Sequence, residues 1–279
     1  MTTATAPTAS QAFASRTLGT SGVSDEDRYL FDLQGYLVVK NVLGREELAE
    51  LNRLIDERKL PEPGETVQSQ RFSGFLTWGQ PFRDLLDHPA IVPYLKEWLD
   101  PAFRLDHYYG IYMKQGTSGL TLHGGGTPYD RPEYFHFRGG QMYNGLTVVS
   151  WALVDIPADQ GGFTCIPGSH KANYPCPRPI RTYESNPGCV VQVPMSAGDA
   201  VIFTEALTHG THPWTAPHHR RSLLFKYAPG HMAWGGGYAR WPQELLELLT
   251  PEQRLLFEPP YFHQRKEIGA PDAAPRSAY

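Results

Sequence analysis

Between residues 105 and 229 the chain breaks into seven short apolar runs, each closed by Gly, Pro, Asp or Asn. They fall at residues 108–113, 120–123, 146–156, 163–166, 189–193, 200–203 and 222–227. No long helical pattern lies between them, which excludes a βαβ repeat. Strands this short and this closely punctuated bury their apolar sides in an antiparallel barrel or jelly roll. The high counts of Gly (27) and Pro (25) favour the same answer over a helical bundle.

Helical patterns flank this stretch. Ser24 is placed to cap a helix whose first turn holds Asp25, Glu26 and Asp27, where carboxylates meet the positive helix end. Gly35 ends that helix, and residues 36–40 read as a strand. Leu48, Leu51, Leu54 and Ile55 repeat at helical spacing within residues 45–59, and shorter helices fit 81–87 and 90–99. Two more helical pieces, 241–249 and 251–257, follow the apolar runs. The expected organisation is a flexible tail over 1–23, one domain over 24–265 with its β core at about 105–229, and a flexible tail over 266–279.

The formal charge is −4, and no dense Lys/Arg run is present, which argues against a nucleic-acid polymer or a membrane surface as partner. No stretch reaches the roughly 18 apolar residues of a membrane span. The first twenty residues are rich in Ala, Thr and Ser and lack a basic segment followed by an apolar one, unlike a secretion signal. Cys165, Cys176 and Cys189 form no CxxC pair and read as reduced thiols of a cytoplasmic protein.

Three residues stand out chemically. His209 follows the buried run Asp199-Ala-Val-Ile-Phe-Thr-Glu-Ala-Leu-Thr and precedes Gly210. Arg220 opens another strand eleven residues later. In a rolled sheet the two strands can be neighbours, and an inward guanidinium needs an anionic partner. His123 ends Leu120-Thr-Leu-His and is followed by three glycines that let the backbone come close. Two imidazoles from separate strands make half a site for iron, copper or zinc.

The chain resembles the phytanoyl-CoA dioxygenase family of Fe(II)/2-oxoglutarate oxygenases over roughly residues 29–229. The resemblance is carried by Phe31-Asp-Leu-Gln-Gly-Tyr-Leu-Val-Val-Lys-Asn-Val-Leu43, Trp151-Ala-Leu-Val-Asp-Ile156, Gly161-Gly162 and Ile166-Pro-Gly-Ser-His-Lys171. It implies a double-stranded β-helix, mainly β and cupin-like, with flanking α-helices. It also implies Fe(II), 2-oxoglutarate and O2 as cofactor and cosubstrates, and a small-molecule substrate. By the same resemblance His123 and His209 fall on iron-ligand positions, and Arg220 on the residue gripping the far carboxylate of 2-oxoglutarate. Trp151 and Thr211 fall on secondary contacts to that molecule, while His170 reads as structural.

One position departs from the family pattern. The usual first motif is His-x-Asp or His-x-Glu, and here Gly125 takes the carboxylate's place. Chloride can fill the opening, as in related halogenases whose motif is His-x-Gly. Alternatively Asp130 or Glu133 folds back as a ligand and the enzyme is a hydroxylase, desaturase or cyclase. The third reading is a silent ligand-binding barrel. Residues 129–144 form a long connection expected to act as a lid, in which His136 and Arg138 are candidates to meet an anionic substrate group. Trp234, beside Gly235-Gly-Gly237, is a candidate for the entrance rim.

Overall fold

Ser24 opens α1 (Asp25–Gln34) by accepting from the Asp27 amide, and Asp27 accepts in return from the Ser24 amide. Such a reciprocal cap is worth about 1 kcal/mol. Gly35 ends the helix in the left-handed region at φ 81°. The structure, a computed structural model, describes residues 16–17, 22–61 and 70–270. Most of the expected N-terminal tail, and residues 271–279 of the expected C-terminal one, lie outside the described residues.

The strands in chain order are β1 (Arg16–Thr17), β2 (Tyr36–Lys40), β3 (Gln70–Phe72), β4 (Arg104–Met113), β5 (Leu120–His123), β6 (Phe135–Arg138) and β7 (Gln141–Asn144). They continue as β8 (Thr147–Ala152), β9 (Gly162–Cys165), β10 (Val191–Gln192), β11 (Ala200–Thr204), β12 (His209–His212) and β13 (Arg220–Ala228). One sheet has the order β1-β2-β11-β8-β13-β4-β3, and a second has β10-β9-β12-β5. Apart from β1, which runs parallel to β2, the pairings in both sheets are antiparallel. This is the jelly-roll arrangement read from the turn-punctuated runs.

The helices α2 (Arg45–Glu57), α3 (Gln80–Arg83), α4 (Val92–Trp98), α5 (Arg178–Arg181), α6 (Gln243–Leu248) and α7 (Pro251–Leu256) complete the element order. All but α5 supply or flank residues of the core on the outer face of the large sheet. There Phe31, Leu51, Phe82 and Leu256 pack with Leu37, Val149, Ile202, Leu223 and Phe225. A second core between the sheets contains Tyr36, Val38, Val148, Phe163, Val201, Phe203 and Leu224. Consecutive residues of one strand alternate between the two cores, as the two-residue period requires.

The structure corrects several boundaries. The connection over 129–144 contains the β6–β7 hairpin, a two-stranded sheet of its own. His209 opens β12, where a strand ending at that residue was expected. The domain continues past 265: Ile268 is buried and its amide bonds to Pro101 O. Arg16–Thr17, placed in the expected tail, pairs with β2.

Candidate functional site

Alternation along β13 decides which side chains enter the space between the sheets. Leu223, Phe225 and Tyr227 join the helix-side core. Arg220, Leu224 and Lys226, offset by one, line a cavity of about 410 Å³. Ile111 of β4, Ser150 of β8, Phe203 of β11 and Thr211 of β12 line it too.

His123 and His209 meet in this cavity. They are register partners across β5 and β12, with ring centroids 4.3 Å apart. His123 Nδ1 lies 3.0 Å from Thr121 O, and His209 Nδ1 lies 2.7 Å from Leu207 O. A backbone carbonyl accepts only from a protonated nitrogen, so each ring keeps Nε2 as its basic atom. Burial pushes the His209 imidazolium down to about 4, leaving the ring neutral at pH 7. Two imidazoles with their Nδ1 atoms fixed and their Nε2 atoms free are suited to a divalent ion.

The turn before His209 is held from both sides. Ser169 Oγ accepts from the Thr208 amide at 2.8 Å, and Thr208 O accepts from the Ile166 amide at 2.9 Å. The Ile166-Pro-Gly-Ser-His-Lys171 segment is thus a brace for this turn. His170 belongs to it structurally, with Nε2 3.0 Å from Asp32 O. The glycines after His123 pass close to the same turn. A Cβ on Gly124 would fall 2.6 Å from Glu205 O. Gly125 has φ +109°, and a Cβ there would meet Thr208 Oγ1 at 2.8 Å. Gly125 borders a different cavity, with Thr208, Tyr174 and Cys176. A side chain at this position is aimed at Thr208, so chain packing alone is a sufficient reason for glycine.

Arg220 is 2% exposed. Its Nη1 approaches Met113 Sδ at 3.3 Å, and its Nε has no hydrogen-bond partner among the described residues. Burial lowers its pKa to about 10, so the group still carries its charge at neutral pH. A buried, charged donor without an acid beside it is costly unless a ligand supplies the anion. The residues therefore fit both groups that the family resemblance implies: a divalent ion at the two imidazoles and a dicarboxylate against Arg220.

Other expected residues divide. Thr211 lines the cavity, and so does Glu133, whose pKa is pushed up to about 7 by burial and then by Glu205 and Asp130. Trp234 stands at the rim, 54% exposed and stacked 5.3 Å from His107. Trp151 is a correction. It is the register partner of Leu223 and Ala200 and sits in the helix-side core, on the face away from the cavity. Its neighbour Ser150 occupies the inward place. His136 and Arg138 are corrections as well, being exposed on β6 and absent from the cavity wall. Asp130 is exposed and bridges to Glu133.

Sequence reasoning missed Glu205, Lys226, Arg71 and His107, all of which line the cavity. Glu205 is 4% exposed, with Oε1 2.6 Å from Lys226 Nζ and Oε2 3.9 Å from His209 Nε2. Burial opposes its ionisation, but the charge of Lys226 and its hydrogen bond outweigh that and hold the carboxyl below its ordinary range. The available signal was an acid enclosed by the apolar run that leads to His209. Among the described residues no three His, Cys, Asp or Glu side chains are gathered into a ready-made metal cluster.

Three comparisons bear on identity. The dioxygenase cdmD of Talaromyces verruculosus is 29% identical over 100 residues, which is 36% of this chain and 31% of that protein. The chain thus spans about a third of that relative's length. The crystal structure of HygX from Streptomyces hygroscopicus, with nickel and 2-oxoglutarate bound, superposes with a TM-score of 0.68 at 24% identity. That alignment covers 75% of this chain and 88% of HygX. The α-ketoglutarate-dependent carbocyclase SnoK from nogalamycin biosynthesis gives 0.58 at 20% identity, covering 80% of this chain and 94% of SnoK. At such identities these two structures show a shared fold. The family model for phytanoyl-CoA dioxygenase matches residues 31–222, and the chain belongs to that family.

Proposed function

We propose that the protein is an Fe(II)- and 2-oxoglutarate-dependent oxygenase that oxidises a C–H bond of a small metabolite. The observation that carries this reading is the pairing, in one cavity, of two imidazoles fixed through Nδ1 with a buried guanidinium that has no acid beside it among the described residues. When bound, iron would let O2 act as the oxidant of both 2-oxoglutarate, which leaves as succinate and CO2, and the substrate C–H bond. The chain's own part is to hold and exclude. His123 and His209 hold the ion through Nε2, their Nδ1 protons fixed on Thr121 O and Leu207 O. Arg220 fixes the far carboxylate of 2-oxoglutarate and so sets which end faces the ion. Phe163 and Phe203 stand 6.3 and 4.8 Å from the His209 ring and keep its surroundings apolar.

Arg71, His107 and Trp234 also line the cavity, and we assign the substrate to them. Arg71 lies 4.4 Å over the Tyr109 ring, and His107 Nδ1 is 2.7 Å from Asp106 Oδ1. These groups suit a small, anionic metabolite better than the exposed His136 and Arg138 do. Chlorination would need the place of Gly125 to open toward the imidazoles. The direction of that residue toward Thr208 favours oxygenation instead. The test is succinate release from 2-oxoglutarate in the presence of Fe(II), O2 and a panel of small anionic metabolites, with and without chloride. Oxygen-dependent succinate with a hydroxylated or desaturated product supports the proposal. A chlorinated product would favour the halogenase. No succinate with any substrate, and no binding of 2-oxoglutarate, would favour a silent barrel.

A further inference from the structure

We propose that Glu205 supplies the third protein ligand to the divalent ion held by His123 and His209, replacing the acid that the family carries two residues after its first histidine. The inference rests on the reading of the cavity given above and goes beyond it. Gly125, which stands in the place of that acid, is directed at Thr208 and borders another cavity. Glu205 approaches the His209 ring out of the turn that delivers it and shares the cavity wall with His123. That turn is braced by Ser169 and Ile166, and the Glu205 amide bonds to Leu146 O at 2.9 Å.

The geometry of the carboxylate suits the role. Lys226 engages Oε1, which leaves Oε2 facing His209 Nε2 at 3.9 Å. Two donors at about 2.1 Å from one ion sit roughly 3 Å apart at a right angle and about 4.2 Å apart when opposed. The observed separation lies inside that range. Lys226, itself only 12% exposed, has a definite part to play. It neutralises and orients the acid through one oxygen, as the outer partners of metal-ligating carboxylates commonly do. The alternative, a purely structural Glu205–Lys226 pair, leaves unexplained why its second oxygen faces His209 Nε2. With Glu205 in place, the ion meets two nitrogens and one oxygen, a set suited to non-haem Fe(II).

Metal affinity decides the matter without recourse to turnover. Mn(II) and Co(II) are titrated calorimetrically into the full chain, anaerobically and without 2-oxoglutarate. The variants are Glu205→Gln, Glu205→Asp, Glu133→Gln and the double variant Glu205→Gln/Lys226→Met, which removes both buried charges and guards against misfolding. Loss of an outer partner commonly weakens binding 10- to 100-fold, so loss of this ligand is expected to cost about 100-fold or more. Glu205→Asp is expected to recover part of the loss, and Glu133→Gln to bind within about twofold of wild type. The Co(II) visible spectrum is expected to ignore chloride in wild type and to respond to it in Glu205→Gln. Wild-type affinity in the folded double variant, or the main loss falling on Glu133→Gln, overturns the role of Glu205. Failure of wild type itself to bind either ion overturns the reading of the cavity along with it.

Discussion

The two faces of β13 are made by one run of sequence and do opposite work. Leu223, Phe225 and Tyr227 point to the helices and are at most 1% exposed. Arg220 and Lys226, interleaved with them, are also largely buried yet carry charge into the cavity. The outer face is stabilised by apolar area withdrawn from water, which is indifferent to which oily partner it meets. The inner face is destabilising by itself and becomes favourable only through specific partners: Glu205 for Lys226, and for Arg220 an anion that no described residue supplies. Such a face marks a binding site because stability alone gives no reason to keep it.

If that contrast holds, the two faces should fail in different ways. The largest expected effect is on the outer face. Phe225→Ala, which removes the edge contact with Phe75 at 5.6 Å, should destabilise the fold by about 3–5 kcal/mol in urea melts. Its affinity for 2-oxoglutarate, measured where the variant remains folded, should be unchanged. On the inner face Arg220→Met should do the reverse. It should weaken 2-oxoglutarate by about 2–5 kcal/mol while the melting temperature stays level or rises, since an unpaired buried charge is removed. A large loss of stability in that variant would erase the distinction.

His170 sharpens the contrast, because it is a buried histidine outside the cavity. Burial, only partly offset by its bond to Asp32 O, pushes its pKa down to about 4. Between about pH 6.5 and 4 the unfolded chain therefore binds the extra proton, and folding stability falls as pH falls through that window. Wild type should lose about 1–3 kcal/mol from this residue over the interval. Urea melts of His170→Gln at pH 7, 5.5 and 4.5 should show a correspondingly shallower loss; equal slopes would remove His170 from the account. The smallest effect is expected at Trp151. Its Nε1 has no hydrogen-bond partner among the described residues, so Trp151→Phe should leave 2-oxoglutarate affinity within about twofold and cost less than about 1.5 kcal/mol. A large drop in cosubstrate affinity there would return Trp151 to the cavity.

What the sequence made legible follows the same division. Local signals were readable: the Ser24 cap, Gly35 as helix end, and the turn-separated strands. So was the meeting of His123 and His209, because an apolar run precedes each and glycine follows. Parity was not readable. Trp151 and Ser150 differ by one position, and only the register of β8 against β11 and β13 says which faces inward. Glu205 was hidden for a related reason. A strand was drawn straight through it to His209, whereas the chain turns there and begins β12 afresh. His136 and Arg138 looked suited to an anion by chemistry, but the β6–β7 hairpin presents them to solvent.

The most direct test of the whole account is an anaerobic titration of the wild-type chain with Fe(II) and 2-oxoglutarate, followed by visible absorption. A weak band should grow only when both are present, saturate at one equivalent of each, and vanish in His209→Ala. No band, together with 2-oxoglutarate binding that is indifferent to the metal, would mean that the two imidazoles and the guanidinium do not serve a common site.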